Sequence, residues 1–141
     1  KEYIKALDDT YNSEIPITHF PSGAVSRLKN GKVQDSAWQK SFITKAVSSK
    51  RDIVPFYFYG RNSNLFYTVY TVRQLFGIKL NIELLLLPRE MFRKKNKTIK
   101  VKIGKPIQYH MFDESSSKRD WAQKVCSHVY ELGNNKTKDD F

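Results

Sequence analysis

Residues 20–27 read Phe-Pro-Ser-Gly-Ala-Val-Ser-Arg, which places two hydroxyls, a glycine and one cation in a single short loop. The proline ends regular strand pairing, and Gly23 permits a positive φ or the close approach of a ligand to the backbone. Ser22, Ser26 and Arg27 supply donors for an anion. This composition predicts a loop that holds an anionic group. An ordinary polar turn is the alternative, because the same residue types dominate turns.

Two later segments accompany this loop. Residues 53–57 read Ile-Val-Pro-Phe-Tyr, and residues 99–107 read Ile-Lys-Val-Lys-Ile-Gly-Lys-Pro-Ile. In this order and at about these distances, the three segments resemble the glycerolipid (lysophosphatidate-type) acyltransferase superfamily. Within it, the chain is most similar to the bacterial hemolysin-like branch, which includes lyso-ornithine and lyso-glycine lipid O-acyltransferases. The resemblance implies that the acceptor is bound by Ser22, Gly23, Ser26 and Arg27.

The loop departs from the commoner family pattern, Phe-Pro-Glu-Gly-Thr-Arg-Ser. Ser22, Ala24 and Val25 stand where Glu, Thr and Arg are usual, and Arg27 lies two positions after the usual arginine. In the family that arginine pairs with the phosphate of the acceptor, which Val25 cannot do. We therefore expect either that Arg27 takes over this contact or that the head group of the acceptor is not a glycerol phosphate.

The resemblance also implies a His-x-x-x-x-Asp motif, in which the histidine acts as general base on the acceptor hydroxyl and the aspartate orients it. None of the three histidines of this chain is followed by an aspartate five positions later, since those positions hold Ala, Ser and Gly. In the family the motif precedes the acceptor loop by more than the 19 residues found here, and the chain begins at Lys1 rather than at methionine. We expect the C-terminal portion of a longer enzyme, with no catalytic residue and no activity of its own.

The composition is that of a folded, strongly basic chain. Its 141 residues are 40% hydrophobic and 13% aromatic, which excludes wholesale disorder, and such a length buries roughly two-thirds of the unfolded surface in one core. The net charge of +11 predicts anionic partners, among them acidic lipids, an acidic carrier protein and nucleic acid. A single cysteine, Cys126, excludes an internal disulfide, and its helical context predicts a buried thiol.

The resemblance implies an acyl donor, which is coenzyme A or acyl carrier protein carrying a thioester, and a lysolipid acceptor. Neither a metal ion nor a bound cofactor is expected. The longest apolar stretch, residues 53–59, is far shorter than the ~20 residues that a spanning helix needs. We expect a cytoplasmic enzyme that is peripheral at the inner face of the membrane.

A basic cluster follows the apolar residues 84–87. Its members are Arg89, Arg93, Lys94, Lys95 and Lys97. A basic patch beside an apolar one suits an anionic membrane, where each cation adds about 1 kcal/mol, or an acidic carrier protein. A solvated loop without a partner is the alternative.

A different function class stays open, namely a noncatalytic basic module that binds an anionic membrane surface. Nucleic acid is the weaker partner for such a module. Aromatic residues at 56–59 beside positive charge favour stacking on bases, but the chain has no RNA-recognition signature and these rings read as core.

Helices are predicted from apolar spacing. Residues 35–49 form one, with Asp35 as the cap and an apolar face of Trp38, Phe42, Ala46 and their neighbours. Residues 64–76 form another, which carries an apolar stripe of Leu65, Val69, Val72 and Phe76 and ends at Gly77. The last helix begins near Ser117 in a capping box with Asp120, and it presents to the core Trp121, Val125, Val129 and Leu132.

Strands are predicted at residues 15–20, at 53–59 as a strand buried on both faces, and at 98–103 with Ile99, Val101 and Ile103 inward. Pro55, within the second of these, favours an edge strand or a bulge. Strands alternating with helices indicate an α/β fold, with a mixed, partly parallel sheet flanked by helices. Residues 1–133 are expected to be the C-terminal portion of a single, truncated acyltransferase-like domain, and residues 134–141 a frayed tail.

Overall fold

The computed structural model describes residues 2–134 and Phe141. Within them the chain forms five α-helices, two 3₁₀ helices and four short strands. In chain order these are α1 (Glu2–Tyr11), β1 (Arg27–Lys29), β2 (Lys32–Gln34), α2 (Ser41–Ser48), β3 (Phe56–Phe58), α3 (Asn64–Leu75), the 3₁₀ helix Ile82–Leu86, α4 (Leu87–Arg93), β4 (Val101–Ile103), the 3₁₀ helix Tyr109–Met111 and α5 (Lys118–Gly133). The predicted α/β class is confirmed.

Residue contacts group these elements into two compact units. The first unit draws its described residues from Lys1–Gly23, Ala37–Tyr57 and Lys102–Phe141. The second unit consists of Ala24–Ser36 and Phe58–Val101.

The first unit has an apolar core between α2 and α5. Its buried residues are Phe42, Ile43, Ile107, Phe112, Ala122 and Val125. Trp38 and Trp121 pack against them while staying partly exposed. The apolar faces predicted for these two helices are therefore confirmed.

Helix α5 begins as predicted. The Ser117 hydroxyl accepts a hydrogen bond from the Asp120 backbone N–H at 3.1 Å and donates one to the Asp120 carboxylate at 2.7 Å. The helix ends at Gly133, where an added Cβ would lie 2.5 Å from the ring of Tyr57, so this position needs glycine. Cys126 lies on α5 and is half-buried rather than buried.

Helix α2 is shorter than predicted, since it begins at Ser41 and not after Asp35. Asp35 does not cap it, because the Asp35 carboxylate accepts a hydrogen bond from the hydroxyl of Ser26 in the second unit. Lys40 precedes the helix and makes no side-chain cap.

The strand predicted at residues 15–20 is wrong, because this segment is irregular. Pro16 has no N–H to donate to a ladder. The Arg51 guanidinium also binds the backbone here, at 3.0 Å from the Ser13 carbonyl oxygen and 2.8 Å from that of Ile15.

Strands β1 and β2 form an antiparallel hairpin in the second unit, with Leu28 opposite Val33. Its turn is the predicted Asn30-Gly31 pair, and both residues have a positive φ, 49° and 73°. An Asn-Gly turn of this kind matches the twist of two antiparallel strands. The turn was foreseen and the two strands were not.

Strands β3 and β4 form the other two-stranded sheet. Hydrogen bonds from Tyr59 N–H to the Lys100 carbonyl and from Gly104 N–H to the Pro55 carbonyl, each 2.9 Å, show that the pair is antiparallel. Both sheets are thus antiparallel, and the expected partly parallel sheet is not found in residues 2–134. Strand–helix alternation alone does not fix strand direction, and here two α-helices and a 3₁₀ helix separate β3 from β4.

The orientation predicted for these strands is also wrong. Phe56 and Phe58 are exposed, so β3 is not buried on both faces. Val101 and Ile103 face solvent on β4, whereas Lys102 between them is half-buried. Alternation shows that the two faces of a strand differ, but the core can lie on either face.

Helix α3 lies within one residue of its predicted bounds. The Ser63 hydroxyl caps it by accepting from Phe66 N–H, and Gly77 follows with φ of 64°. Its buried residues are Phe66, Tyr67 and Arg73, whereas three members of the predicted apolar stripe are exposed, namely Leu65, Val72 and Phe76.

The predicted frayed tail lies mostly outside the described residues. Phe141 is described, and its ring centroid lies 5.2 Å from that of His128 and 6.2 Å from that of Trp121. Among the described residues, no helix has the length and apolar character needed to cross a membrane.

Candidate functional site

The candidate loop divides between the two units after Gly23. Ser22 and Gly23 belong to the first unit, and Ser26 and Arg27 belong to the second. Each half of the loop is held by hydrogen bonds or ion pairs within its own unit.

The first half of the loop is a tight turn. The Gly23 N–H donates to the carbonyl of Phe20 at 3.1 Å, and Gly23 has φ of 61°, a conformation that favours glycine. A Cβ on Gly23 would lie 3.3 Å from Nε2 of Gln39. The backbone N–H of Gln39 donates to the Pro21 carbonyl. The turn therefore presents backbone at a place where a side chain would be crowded.

In the second half, the Ser26 hydroxyl donates to Oδ1 of Asp35 at 2.5 Å. Asp35 follows β2 and Ser26 precedes β1, so this bond joins the two ends of the hairpin. The conformation of Ser26 is fixed by the hairpin that follows it.

Arg27, the loop cation, is buried and bound by protein groups. Its Nη2 lies 3.0 Å from Oε1 of Glu83, and its Nη1 donates to the Val25 carbonyl at 2.7 Å. Its guanidinium carbon lies 5.5 Å from the ring centroid of Phe66 and 5.4 Å from that of Tyr70. These contacts hold the guanidinium in one orientation.

Glu83 binds a second arginine on α3. Arg73 Nε lies 2.8 Å from Oε2 of Glu83, a short ion pair whose angle does not satisfy hydrogen-bond geometry. Arg73 Nη1 also donates to the Ile78 carbonyl at 2.8 Å. Arg27, Glu83 and Arg73, the buried ion cluster, thus combine two guanidinium groups with one carboxylate.

The buried ion cluster carries one excess positive charge on these three side chains. Glu83 is fully buried, and a buried charge without a partner is costly. This excess would stabilise an anion close to Arg27. Sequence reasoning missed Glu83 and Arg73, although a lone carboxylate among the apolar residues 82–87 was a signal that it has a buried partner.

The basic cluster predicted after residue 87 is partly engaged. Arg89 Nη1 lies 3.0 Å from Glu90 Oε1, and Lys94 Nζ lies 3.4 Å from the Asn62 amide oxygen. The whole cluster is exposed: Arg89, Arg93, Lys94, Lys95 and Lys97.

Glu90 of α4, in contrast, is buried, and its carboxylate lies at the N-terminus of α3. It accepts hydrogen bonds from the N–H and the hydroxyl of Ser63, both 2.6 Å. Burial alone would raise the pKa of Glu90, but the Ser63 hydrogen bonds and the charges of Arg89 and Arg93 lower it overall. Glu90 is therefore ionised at neutral pH and ties α4 to α3.

His19 precedes the loop, in the first unit. Its Nδ1 lies 3.4 Å from the Tyr11 hydroxyl, and its ring centroid lies 5.9 Å from that of Phe42. Burial lowers the pKa of His19, which keeps the imidazole neutral at pH 7. The hydrogen-bond contact with Tyr11 and the ring contact with Phe42 fit a structural role for this histidine.

Residues 1–138 match the sequence model of an acyltransferase family. Two curated relatives, both named lyso-glycine lipid O-acyltransferase, come from Bacteroides thetaiotaomicron and Phocaeicola vulgatus. They are 42% and 39% identical to this chain over 132 residues, which is 94% of the chain but 48% and 47% of the relatives. The chain thus spans about half the length of these relatives. No solved structure matches it significantly.

Proposed function

This chain belongs to the acyltransferase family, and we propose that it is the acceptor-binding portion of a lipid O-acyltransferase. The match over residues 1–138 carries the proposal. The two relatives named for a lyso-glycine lipid support a lysolipid as the acceptor.

The reaction transfers a fatty acyl group from the thioester of acyl carrier protein or coenzyme A. The hydroxyl oxygen of the lysolipid attacks the thioester carbonyl, so that a C–O bond forms, the C–S bond breaks and the hydroxyl proton ends on the departing thiol. A general base must take that proton first. No histidine of this chain has the expected Asp partner five positions later, so we expect the base outside this chain and no activity from the chain alone.

The acceptor is bound by the loop of residues 20–27. Gly23 permits close approach to the backbone, and Ser22 and Ser26 supply hydroxyls. Arg27 attracts an anionic head group, supported by the excess positive charge of the buried ion cluster. Because Arg27 already binds Glu83, the head group would share this guanidinium rather than neutralise a free one.

The net charge of +11 favours an acidic carrier protein or an anionic lipid surface as the partner. The basic cluster supplies the contact, and the enzyme acts in the cytoplasm at the inner face of the membrane. The proposed chemistry requires neither a metal ion nor a redox cofactor.

The test uses the full-length natural protein, with labelled acyl carrier protein or acyl coenzyme A and a lysolipid extract. Variants Arg27→Ala and Arg27→Lys are compared with Lys32→Ala, which removes an exposed cation on β2. We expect Arg27→Ala to raise the KM for the acceptor about tenfold or more, as for loss of a charged hydrogen bond, with the KM for the donor unchanged. Arg27→Lys should lose less, because it keeps the charge.

Unchanged acceptor KM in both Arg27 variants would remove Arg27 from the site but leave the acyltransferase assignment intact. Absence of acyl transfer from every donor would overturn the assignment. The alternative, a noncatalytic basic module on an anionic membrane, would then be favoured if the protein still bound vesicles.

A further inference from the structure

The second unit has an unusual distribution of side chains. Four charged residues are buried in it, Arg27, Arg73, Glu83 and Glu90. Large apolar side chains of the same elements are exposed, and we name as the apolar face Leu75, Phe76, Leu80, Leu85, Met91 and Phe92. Exposed large apolar side chains on neighbouring elements are typical of an interaction site.

Glu83 fixes the outward direction of the 3₁₀ helix Ile82–Leu86. Its carboxylate is held by Arg27 and Arg73, which sets the inner side of this short helix. Leu85, two residues later, is 80% exposed as a result.

Glu90 acts in the same way on α4. Its two hydrogen bonds from Ser63 set the inner side of the helix. Met91 and Phe92, the next two residues, are 65% and 68% exposed. Both carboxylates therefore orient apolar neighbours toward the outside.

The end of α3 adds to the apolar face. Leu75 is 81% exposed and Phe76 73%, and Leu80 follows after the turn at Gly77. The elements that carry the face are in contact, because the 3₁₀ helix Ile82–Leu86 packs against both α3 and α4.

Cations adjoin the apolar face in sequence. Lys79 precedes Leu80, and the basic cluster surrounds and follows Met91 and Phe92. No acidic residue lies between Glu90 and Asp113, whereas Lys and Arg recur throughout that stretch. Met91 and Phe92 therefore begin a stretch in which every Lys, Arg, Asp or Glu position holds a cation.

We infer that the apolar face and the basic cluster together dock on an anionic bilayer, with the apolar side chains entering the lipid and the cations contacting the head groups. Apolar residues flanked by Lys and Arg are the pattern of surfaces that lie on membranes. Lysines are depleted from protein–protein interfaces, which argues against a protein partner as the occupant. The inference rests on the proposed function in one respect, that a lysolipid acceptor resides in a bilayer.

Vesicle cosedimentation tests the docking directly. The full-length natural protein is mixed with vesicles of phosphatidylcholine alone or with one-third phosphatidylglycerol. The apolar variant is Leu85→Ser/Phe92→Ser, and its control is Ile15→Ser/Ile103→Ser. Ile15 and Ile103 are each 61% exposed and lie outside the apolar face. The charge variant is Lys95→Glu/Lys97→Glu, and its control is Lys32→Glu/Lys40→Glu at exposed positions.

We expect binding to the anionic vesicles, weakened at least tenfold by both docking variants and less than twofold by the controls. Insertion is measured separately by quenching of Phe92→Trp fluorescence with brominated acyl chains, for which Ile15→Trp is the control. Stronger quenching at position 92 supports insertion.

Binding that only the charge variants weaken, with equal quenching at both positions, would overturn insertion. Binding that no variant weakens would overturn docking altogether. If the apolar variant instead abolishes a dimer seen by sedimentation, a second copy of the chain covers the face. None of these readouts requires acyl transfer, so docking and the proposed function can fail independently.

Discussion

The carboxylate of Glu83 lies 3.0 Å from the guanidinium of Arg27, across 56 residues of sequence that include the whole of α2 and α3. Glu83 is fully buried, and its other oxygen lies 2.8 Å from Arg73. The conformation at the end of the candidate loop therefore depends on a residue of the 3₁₀ helix Ile82–Leu86.

Glu83→Gln should destabilise the protein by about 3–5 kcal/mol, because it leaves two buried guanidinium groups without their carboxylate. The free energy of unfolding, measured in urea, checks this. Glu114→Gln is the control, since Glu114 is exposed, and it should change stability by less than about 0.5 kcal/mol. Equal effects of the two substitutions would show that the buried ion cluster adds nothing to stability.

Gly23→Ala should cost about 1–2 kcal/mol, the penalty of a left-handed conformation for a residue with a Cβ. Gly23 has φ of 61°, and the added Cβ would lie 3.3 Å from Gln39 Nε2. Gly31→Ala has the same φ penalty without a contact, and Gly60→Ala has neither. The loss of thermal stability should therefore be largest for Gly23→Ala, smaller for Gly31→Ala and smallest for Gly60→Ala. A loss in Gly60→Ala equal to that in Gly23→Ala would contradict the explanation.

The fold was predictable from sequence where local signals and burial agree. Ser117 with Asp120 marks the start of α5, and the apolar spacing of that helix identifies its buried face. The strand predicted at residues 15–20 failed because the proline at 16 and the contacts from Arg51 outweigh its apolar character. These contacts come from 36 residues away, and no local pattern contains them.

Which side of a helix or strand faces the core was harder to predict than whether a segment is a helix or a strand. Val72 on α3 and Phe76 just after the helix are exposed because Arg73, which lies between them in sequence, is buried. The burial of Arg73 depends in turn on its ion pair with Glu83. Apolar periodicity assumes that the apolar side faces the core. On α3 the buried Arg73 shares the inner side with Phe66 and Tyr67, so the apolar stripe gave the wrong face.

The candidate loop was predictable as a loop, and Gly23 as the residue with positive φ. The partners of Arg27 were not predictable, because an arginine that binds an anionic ligand and one that binds a buried glutamate look alike in sequence. The only sequence signal was Glu83 itself, a carboxylate in an apolar run.

Glu90→Gln should lower the free energy of unfolding at pH 7 by about 2 kcal/mol, the range for hydrogen bonds to a charged group. The pKa of Glu90 is lowered from its ordinary value of 4.5, so its ionised form stabilises the folded state above that pH. The stabilisation is lost as the pH falls through the folded pKa. Urea unfolding from pH 7 to pH 3 should show the difference from wild type shrinking, whereas Glu14→Gln, an exposed control, should show little difference at any pH.

His128→Gln should make stability less dependent on pH below neutrality. His128 is buried on α5, and burial lowers its pKa below the ordinary 6.5 despite the opposing charge of Glu131. The unfolded chain therefore takes up a proton at a higher pH than the folded one, and wild type should lose stability as the pH falls below about 6.5, levelling off once the folded pKa is passed. The thermal midpoint measured between pH 7.5 and 4.5 gives the slope. His110→Gln, at an exposed histidine, should keep the wild-type slope of the thermal midpoint against pH. A wild-type slope in His128→Gln as well would show that His128 does not control this loss of stability.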